Sequence, residues 1–168
     1  MDPGDLYRKH ASDVFRFALY LSGNRNEAED LTSETFVHVW TAPDPIRAAT
    51  VKGLLLTITR HLFLQGRRRQ RREVSAPDDL PDPAAGPLRD FEVRSEVRAV
   101  IERLQQLSEV DRAALLMGAV EGVPYSEVAR ALGISLASVK VKIYRARLKL
   151  AGVSAAEVGG VPERKNET

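Results

Sequence analysis

Cysteine is absent from this 168-residue chain. That excludes a disulfide scaffold, a thiolate zinc site, an iron–sulfur cluster and a cysteine nucleophile, and it fits a reducing compartment. Histidine is scarce, with only His10, His38 and His61, so any metal chemistry would fall on these three. They sit on three different expected helices without acids in ligand spacing. Glu34 and His38 lie four apart, but a di-metal bundle needs Glu-x-x-His on two helices, and no second copy exists. No glycine-rich phosphate loop is present, and no run approaches the roughly 20 apolar residues that span a bilayer. The first ten residues, MDPGDLYRKH, are polar where a secretory signal would be basic and then apolar. The expectation is therefore a soluble cytoplasmic protein with no membrane insertion, no cofactor, no metal and no catalytic residue.

Acid is missing from two stretches, and there the sequence becomes informative. The formal net charge is only +2, yet residues 51–72 carry seven Lys/Arg and no Asp/Glu, and residues 135–151 carry five and none. Residues 73–96 between them hold seven acids against two bases, and residues 1–50 eight acids against five bases. Two all-basic stretches divided by an acidic one imply two places that touch a polyanion and a connector that must not. The plainer reading of either stretch is a solvated helix face.

Apolar residues recur at spacings of three and four with little strand-like alternation, which predicts an all-α chain. A first helix is expected from about Asp5 to Leu21, with Leu6, His10, Val14, Phe17 and Leu21 along one stripe. A second follows, capped by Asn24 or Asn26, and runs to about Trp40. Pro43 and Pro45 break the chain, and a third helix extends to the region of Gln65, where Gly66 either ends it or weakens it. Pro77, Pro81, Pro83 and Pro87 mark an extended acidic linker over 73–90. Helical periodicity returns near Phe91. Ser108, three residues before Asp111, opens a helix to about Val120. Two more helices cover Tyr125–Leu132 and Leu136–Leu150, and a frayed tail follows Gly152. The expected architecture is two small helical domains, 1–72 and 91–152, joined by the 73–90 linker and followed by a flexible tail, 153–168.

The window YSEVARALGISLASVKVKIYRARLKL from Tyr125 has the attributes of a helix-turn-helix. Ala129, Gly133 and Val139 stand at its fifth, ninth and fifteenth places, where the helix crossing, the turn and the second helix's core contact need them. Val139, Ile143, Ala146 and Leu150 form the buried stripe of the second helix. Ser138, Lys140, Val141, Lys142, Tyr144, Arg145, Arg147 and Lys149 are left to other faces, five of them cationic. Such a helix can lie in a major groove with its cations on phosphates. An amphipathic hairpin with a basic solvent face is the bland alternative.

Taken with NEAEDLTSETFVHVW (Asn26–Trp40) and VKGLLLTITRHLFLQGRRRQRR (Val51–Arg72), this motif resembles a bacterial RNA polymerase sigma factor of the extracytoplasmic-function (ECF) type, in the sigma-70 family. The resemblance covers about Leu6–Leu150 in the family's domain order. It implies a helical sigma region 2, a linker in place of the intermediate domain, and a helix-turn-helix region 4. Ala28, Glu29, Asp30, Leu31, Glu34, Phe36 and Trp40 match the polymerase-binding helix. By position Glu29, Asp30, Leu31, Glu34, Val37 and Trp40 are expected to meet the clamp helices, with Ser33 where Gln is common. Leu54–Arg72 matches the helix that reads and opens the downstream promoter element, which implicates Arg60, His61, Arg67, Arg68, Arg69 and Arg71, with Lys52 just before the matched stretch. Leu54 stands where Trp is usual and His61 where Asn is frequent, two departures from the family's pattern at positions that bear on downstream specificity. Ser138, Lys140, Val141, Lys142, Tyr144, Arg145 and Arg147 match the upstream-element surface, and Val141 favours apolar contact with a thymine methyl.

The helices around Leu104–Val120 would meet the polymerase flap, and the linker would thread the polymerase cleft. The partners implied are core RNA polymerase, promoter DNA and, as is usual in the family, an anti-sigma protein. The other classes weighed are an enzyme and a stand-alone helix-turn-helix regulator. A regulator would show a dimerisation helix or sensor domain, where this chain has the Glu29–Trp40 strip and the basic Leu54–Arg72 helix.

Overall fold

The computed structural model describes residues 2–42, 50–73 and 95–152. The proline break at 43–49, the linker beyond Glu73, the return of periodicity at Phe91 and the 153–168 tail lie outside the described residues.

Three helices form the first bundle: α1 (Pro3–Ser22), α2 (Arg25–Thr41) and α3 (Val51–Glu73). Pro3 starts α1, where its missing N–H is no loss, and Gly23 at φ 70° ends it by donating to the Leu19 carbonyl at 2.8 Å. The Asn24 side chain then caps α2 by accepting from the Glu27 N–H at 3.0 Å. The expected stripe of α1, from Leu6 through His10, Val14 and Phe17 to Leu21, is buried. It packs on Ala28, Leu31 and Phe36 of α2 and on Leu55, Leu56 and Phe63 of α3. Where α2 crosses α3, the hydroxyls of Thr35 and Thr59 lie 2.9 Å apart, each also within reach of the carbonyl one turn back; one donates to its carbonyl and accepts from the other, so neither hydroxyl is stranded. His10 is buried, and burial, with Lys9 adding to it, pushes its pKa below the ordinary 6.5.

Gly66 does not end α3, which continues to Glu73. A helical glycine is worse than alanine by only about 1 kcal/mol. The next turn is held by Arg67, whose guanidinium lies 4.8 Å from the Phe63 ring centroid and reaches the Ser22 carbonyl and Glu27 Oε2, both at 3.3 Å.

The second bundle comprises α4 (Ser95–Gln105), α5 (Glu109–Ala114) with a π-helical continuation (Leu115–Val120), α6 (Tyr125–Leu132) and α7 (Leu136–Leu150). Ser108 caps α5 by accepting the Asp111 N–H at 3.2 Å. Buried Arg112 reaches back to the Leu104 and Leu107 carbonyls, satisfying the end of α4. A Cβ on Gly118 would lie 2.9 Å from both Ile143 and Tyr125, so glycine lets α6 and α7 close on the π-helical turn. Gly133 at φ 68° makes the tight turn of the helix-turn-helix. The Ile134 N–H returns to the Ala129 carbonyl at 3.0 Å, and Ser135 caps α7. Val128, Ala129, Val139, Ile143 and Ala146 are buried, as the spacing requires.

The two bundles are docked on each other. α1 packs against α4, α5 and the π-helical segment, and α3 packs against α6. None of the described helices is long and apolar enough to cross a membrane.

Candidate functional site

The α2 strip is built by the helical period itself. Leu31, Thr35 and Phe36 point into the bundle and are buried, so Asp30, Glu34 and Val37 are turned outward. Leu31 is buried to 6% exposure, and what remains of its surface lines the cleft between α2 and α3. Glu29 is exposed and pairs with Arg25 at 3.3 Å. Trp40 is 45% and Val37 53% exposed. Trp40 is packed at its root against tilted rings, with centroids 5.8 Å from Phe36 and 6.5 Å from Tyr7, so a large aromatic face is held in a fixed orientation. Between α2 and α3 lies a cleft of about 400 Å³ with Glu27, Asp30 and Glu34 on one wall and Leu62, Gly66 and Arg69 on the other. Burial pushes the Glu27 carboxyl above its ordinary range, against the opposing pull of Arg67. An acidic wall beside an apolar floor suits a long cationic side chain from a partner helix.

The seven α3 residues assigned to the downstream element divide into two groups. Arg68, Arg69 and Arg71 are exposed on the last two turns. His61 is also exposed, with its Nε2 3.1 Å from Gln65 Nε2. The other three are engaged inside the molecule. Lys52 Nζ lies 3.2 Å from Glu121 and 3.5 Å from Asp13. Arg60 is bidentate on Glu109, Nε to Oε2 at 2.8 Å and Nη2 to Oε1 at 2.6 Å, and its side chain is only 15% exposed. Arg67 is held by Glu27, Ser22 and the Phe63 ring. Lys52, Arg60 and Arg67 are thus half-buried and ion-paired, because acids distant in sequence are folded against them. Leu54 is half-buried.

On α7, Arg145 is exposed, while Lys140, Val141, Lys142 and Arg147 are half-buried. Lys142 lies 3.4 Å from Asp111. The Ser138 hydroxyl is 3.0 Å from that of the cap, Ser135. Tyr144 departs from the expectation of an outward face: it is 8% exposed. The reason is that α7 is covered by α4, α5, α6 and the π-helical segment, which bury a wider arc than the single stripe Val139–Ile143–Ala146–Leu150.

Several residues that complete this geometry escape a reading from spacing alone. Glu109, Glu121 and Glu127 of the second bundle face Arg60, Lys52 and Thr50 of the first. Arg16 adds a bidentate contact to Glu121 at 2.7 and 2.8 Å, and Gln105 donates to the Tyr20 carbonyl at 3.0 Å. The one local signal is Gly53, a glycine near the start of a helix where no turn calls for it. Among the described residues no group of three or more His, Asp or Glu is placed to hold a metal ion.

The sigma-70 region 2 family profile matches residues 6–73, and the sigma-70 region 4 profile matches residues 98–150. The chain is 36% identical over 154 residues to the ECF RNA polymerase sigma factor SigE of Mycolicibacterium smegmatis, covering 87% of this chain and 59% of SigE, so it spans somewhat under two thirds of that relative. It is 31% identical over 144 residues to the ECF sigma factor EcfG of Rhodopseudomonas palustris, covering 82% of this chain and 76% of EcfG. Among solved structures, the sigma factor RpoE in complex with the anti-sigma factor NepR from Bartonella quintana superposes with a TM-score of 0.74 at 24% identity, over 92% of this chain and 96% of that one. An acidic, aromatic strip on α2, a basic α3 and a helix-turn-helix in that order, matched along the chain by both sigma-70 profiles and by ECF relatives, make this chain a member of the ECF RNA polymerase sigma factors of the sigma-70 family.

Proposed function

We propose that the chain acts in the cytoplasm as a promoter-recognition subunit of RNA polymerase. It docks on core enzyme through Asp30, Glu34, Val37 and Trp40, opens the downstream element with α3, and reads the upstream element with α7. The observation that carries this reading is the separation of chemistries. An acidic strip with fixed aromatics faces outward on α2, while exposed cations sit on the far turns of α3 and on α7. A stand-alone regulator has no use for the first surface. Strand opening is then driven by binding energy on bases and phosphates, and bond making stays with the polymerase. An anti-sigma protein is a further proposed partner, on the precedent of RpoE bound to NepR and of CnrH bound to the cytosolic domain of CnrY.

Reconstitution tests the reading directly. Purified chain should co-elute with core polymerase and give transcripts from promoter templates that core alone ignores; a chain that does neither refutes it. For the upstream surface, Arg145→Ala is expected to weaken duplex binding and to flatten the slope of log affinity against log salt by about 0.9, the effect of losing one phosphate contact on B-form DNA. A mutant with wild-type slope would move the DNA face away from this side of α7.

A further inference from the structure

One flank of α7 is fastened to the corner between α4 and α5. Lys142 Nζ lies 3.4 Å from Asp111 Oδ1, and Lys149, seven residues on, donates to the Gln106 carbonyl at 3.2 Å. Arg103 of α4 donates to the Leu150 carbonyl at 2.7 Å, satisfying an acceptor that the end of a helix leaves open. At about 100° per residue the two lysines fall within about 20° of each other round α7. Ser138, Val141 and Arg145, at steps of three and four, lie roughly 40–100° further round and form a separate face. Arg145 is exposed on that face, with Ser138 and Val141 half-buried beside it. Asp111 is itself fixed in place: its N–H is taken by the Ser108 cap at 3.2 Å, in the first turn of α5. The Asp111 side chain is 24% exposed and that of Lys142 27%, so both partners are largely withdrawn from water, where an ion pair is screened less than on an open surface.

The positions of the α7 cations thus differ in kind, although the sequence groups them together. We propose that Asp111 is a positioning residue for the reading helix: it holds Lys142 against α5 and out of the phosphate contacts, so that α7 meets duplex DNA through the face of Ser138, Val141 and Arg145. This rests on the reading of α7 as the upstream-element helix. The effect falls on affinity and leaves discrimination alone, because a lysine–phosphate contact carries no sequence information. Binding to DNA of any sequence is largely such contacts, and a genome offers a vast excess of wrong sites. One cation kept at home therefore lowers the share of the chain lost to irrelevant DNA while the base-facing side chains stay as they are.

Asp111→Asn is the informative variant, because it keeps the side-chain shape and removes the charge that holds Lys142. The full chain is titrated with two duplexes, one recovered by the wild type from a random-sequence pool and a scrambled version of the same composition. On both, the variant is expected to bind more tightly than wild type, with the slope of log affinity against log salt steeper by about 0.9, the effect of one added phosphate contact. Its advantage should accordingly shrink about 3.5-fold between 50 and 200 mM salt. Adding Lys142→Met to the variant should abolish the gain on both duplexes, a reversal that a merely structural role of Asp111 would not produce. Thermal unfolding of each variant reports whether the fold is intact, and should Asp111→Asn unfold early, Asp111→Ser takes its place with the same readouts. A wild-type slope in the folded variant overturns the proposal. So does a gain that survives Lys142→Met, since the added affinity would then come from lost repulsion alone. An Arg145→Ala chain with wild-type slope is a separate result, and it overturns the reading of α7 on which the proposal stands.

Discussion

Replacing Asp30 and Glu34 together by lysine is expected to lower the affinity for core polymerase by at least about a hundredfold. Each reversal turns an attraction to a cationic partner helix into a like-charge contact, and such contacts oppose association by several kcal/mol where they are desolvated. With tenfold per 1.4 kcal/mol, two modest penalties suffice for the expected loss. Folding should survive. Both side chains are exposed on a helix whose buried side is Ala28, Leu31, Thr35 and Phe36, and surface exchanges of this kind usually stay within about 0.5 kcal/mol. The measurement is a titration of labelled chain with core enzyme at two salt concentrations, alongside thermal unfolding and duplex binding by the same variant. Equal losses in polymerase binding, unfolding temperature and DNA affinity would mean that the helix has unfolded. Wild-type polymerase affinity would place the docking surface elsewhere.

Phe36→Ala should destabilise the fold by roughly 3–5 kcal/mol, the usual range for emptying a buried phenylalanine site. Phe36 is 1% exposed and meets Tyr7 edge-on at a centroid distance of 5.0 Å, with Trp40 packed at a tilt on its outer side. Removing the ring leaves a void under both aromatics, and neither can drop into it without distorting α1 or α2. Domains of this size have total stabilities of only about 5–15 kcal/mol, so the variant should approach the threshold of unfolding at physiological temperature. Denaturant unfolding would show this as a lower midpoint at an unchanged slope. Trp40→Ala supplies the contrast: nearly half exposed, it should lose far less stability while losing polymerase affinity in proportion to its place on the strip. A Phe36→Ala loss below about 1 kcal/mol would mean that the site collapses around the void.

Phe36 and Trp40 lie four apart on one helix, and the inward and outward faces of that helix are legible in its spacing. The 3.6-residue period that sends Phe36 inward sends Asp30, Glu34 and Val37 outward. The helix ends are equally legible where their chemistry is local. Asn24, Ser108 and Ser135 cap the helices that follow them, and Gly133 makes the turn that the Tyr125–Leu150 spacing demands. Gly66 is less so. Whether a glycine ends a helix depends on what holds the next turn, and here that is Arg67 on Phe63, Ser22 and Glu27. Tyr144 escapes for a related reason: periodicity identifies the centre of a buried face, and the number of packed neighbours decides its width.

The order of helices, the helix-turn-helix and the segregation of charge into two acid-free stretches follow from the sequence alone, because each depends on groups within a turn or two of one another. Which of those cations faces solvent does not. Arg60 meets an acid 49 residues away, and Lys52 meets Glu121 of the second bundle at 3.2 Å. A charge count assigns all of α3 to an outside partner, but an ion pair is a statement about distance. Only the docking of the second bundle on the first brings Glu109, Glu121 and Glu127 to within hydrogen-bonding reach of the helix that the charge pattern marks for DNA.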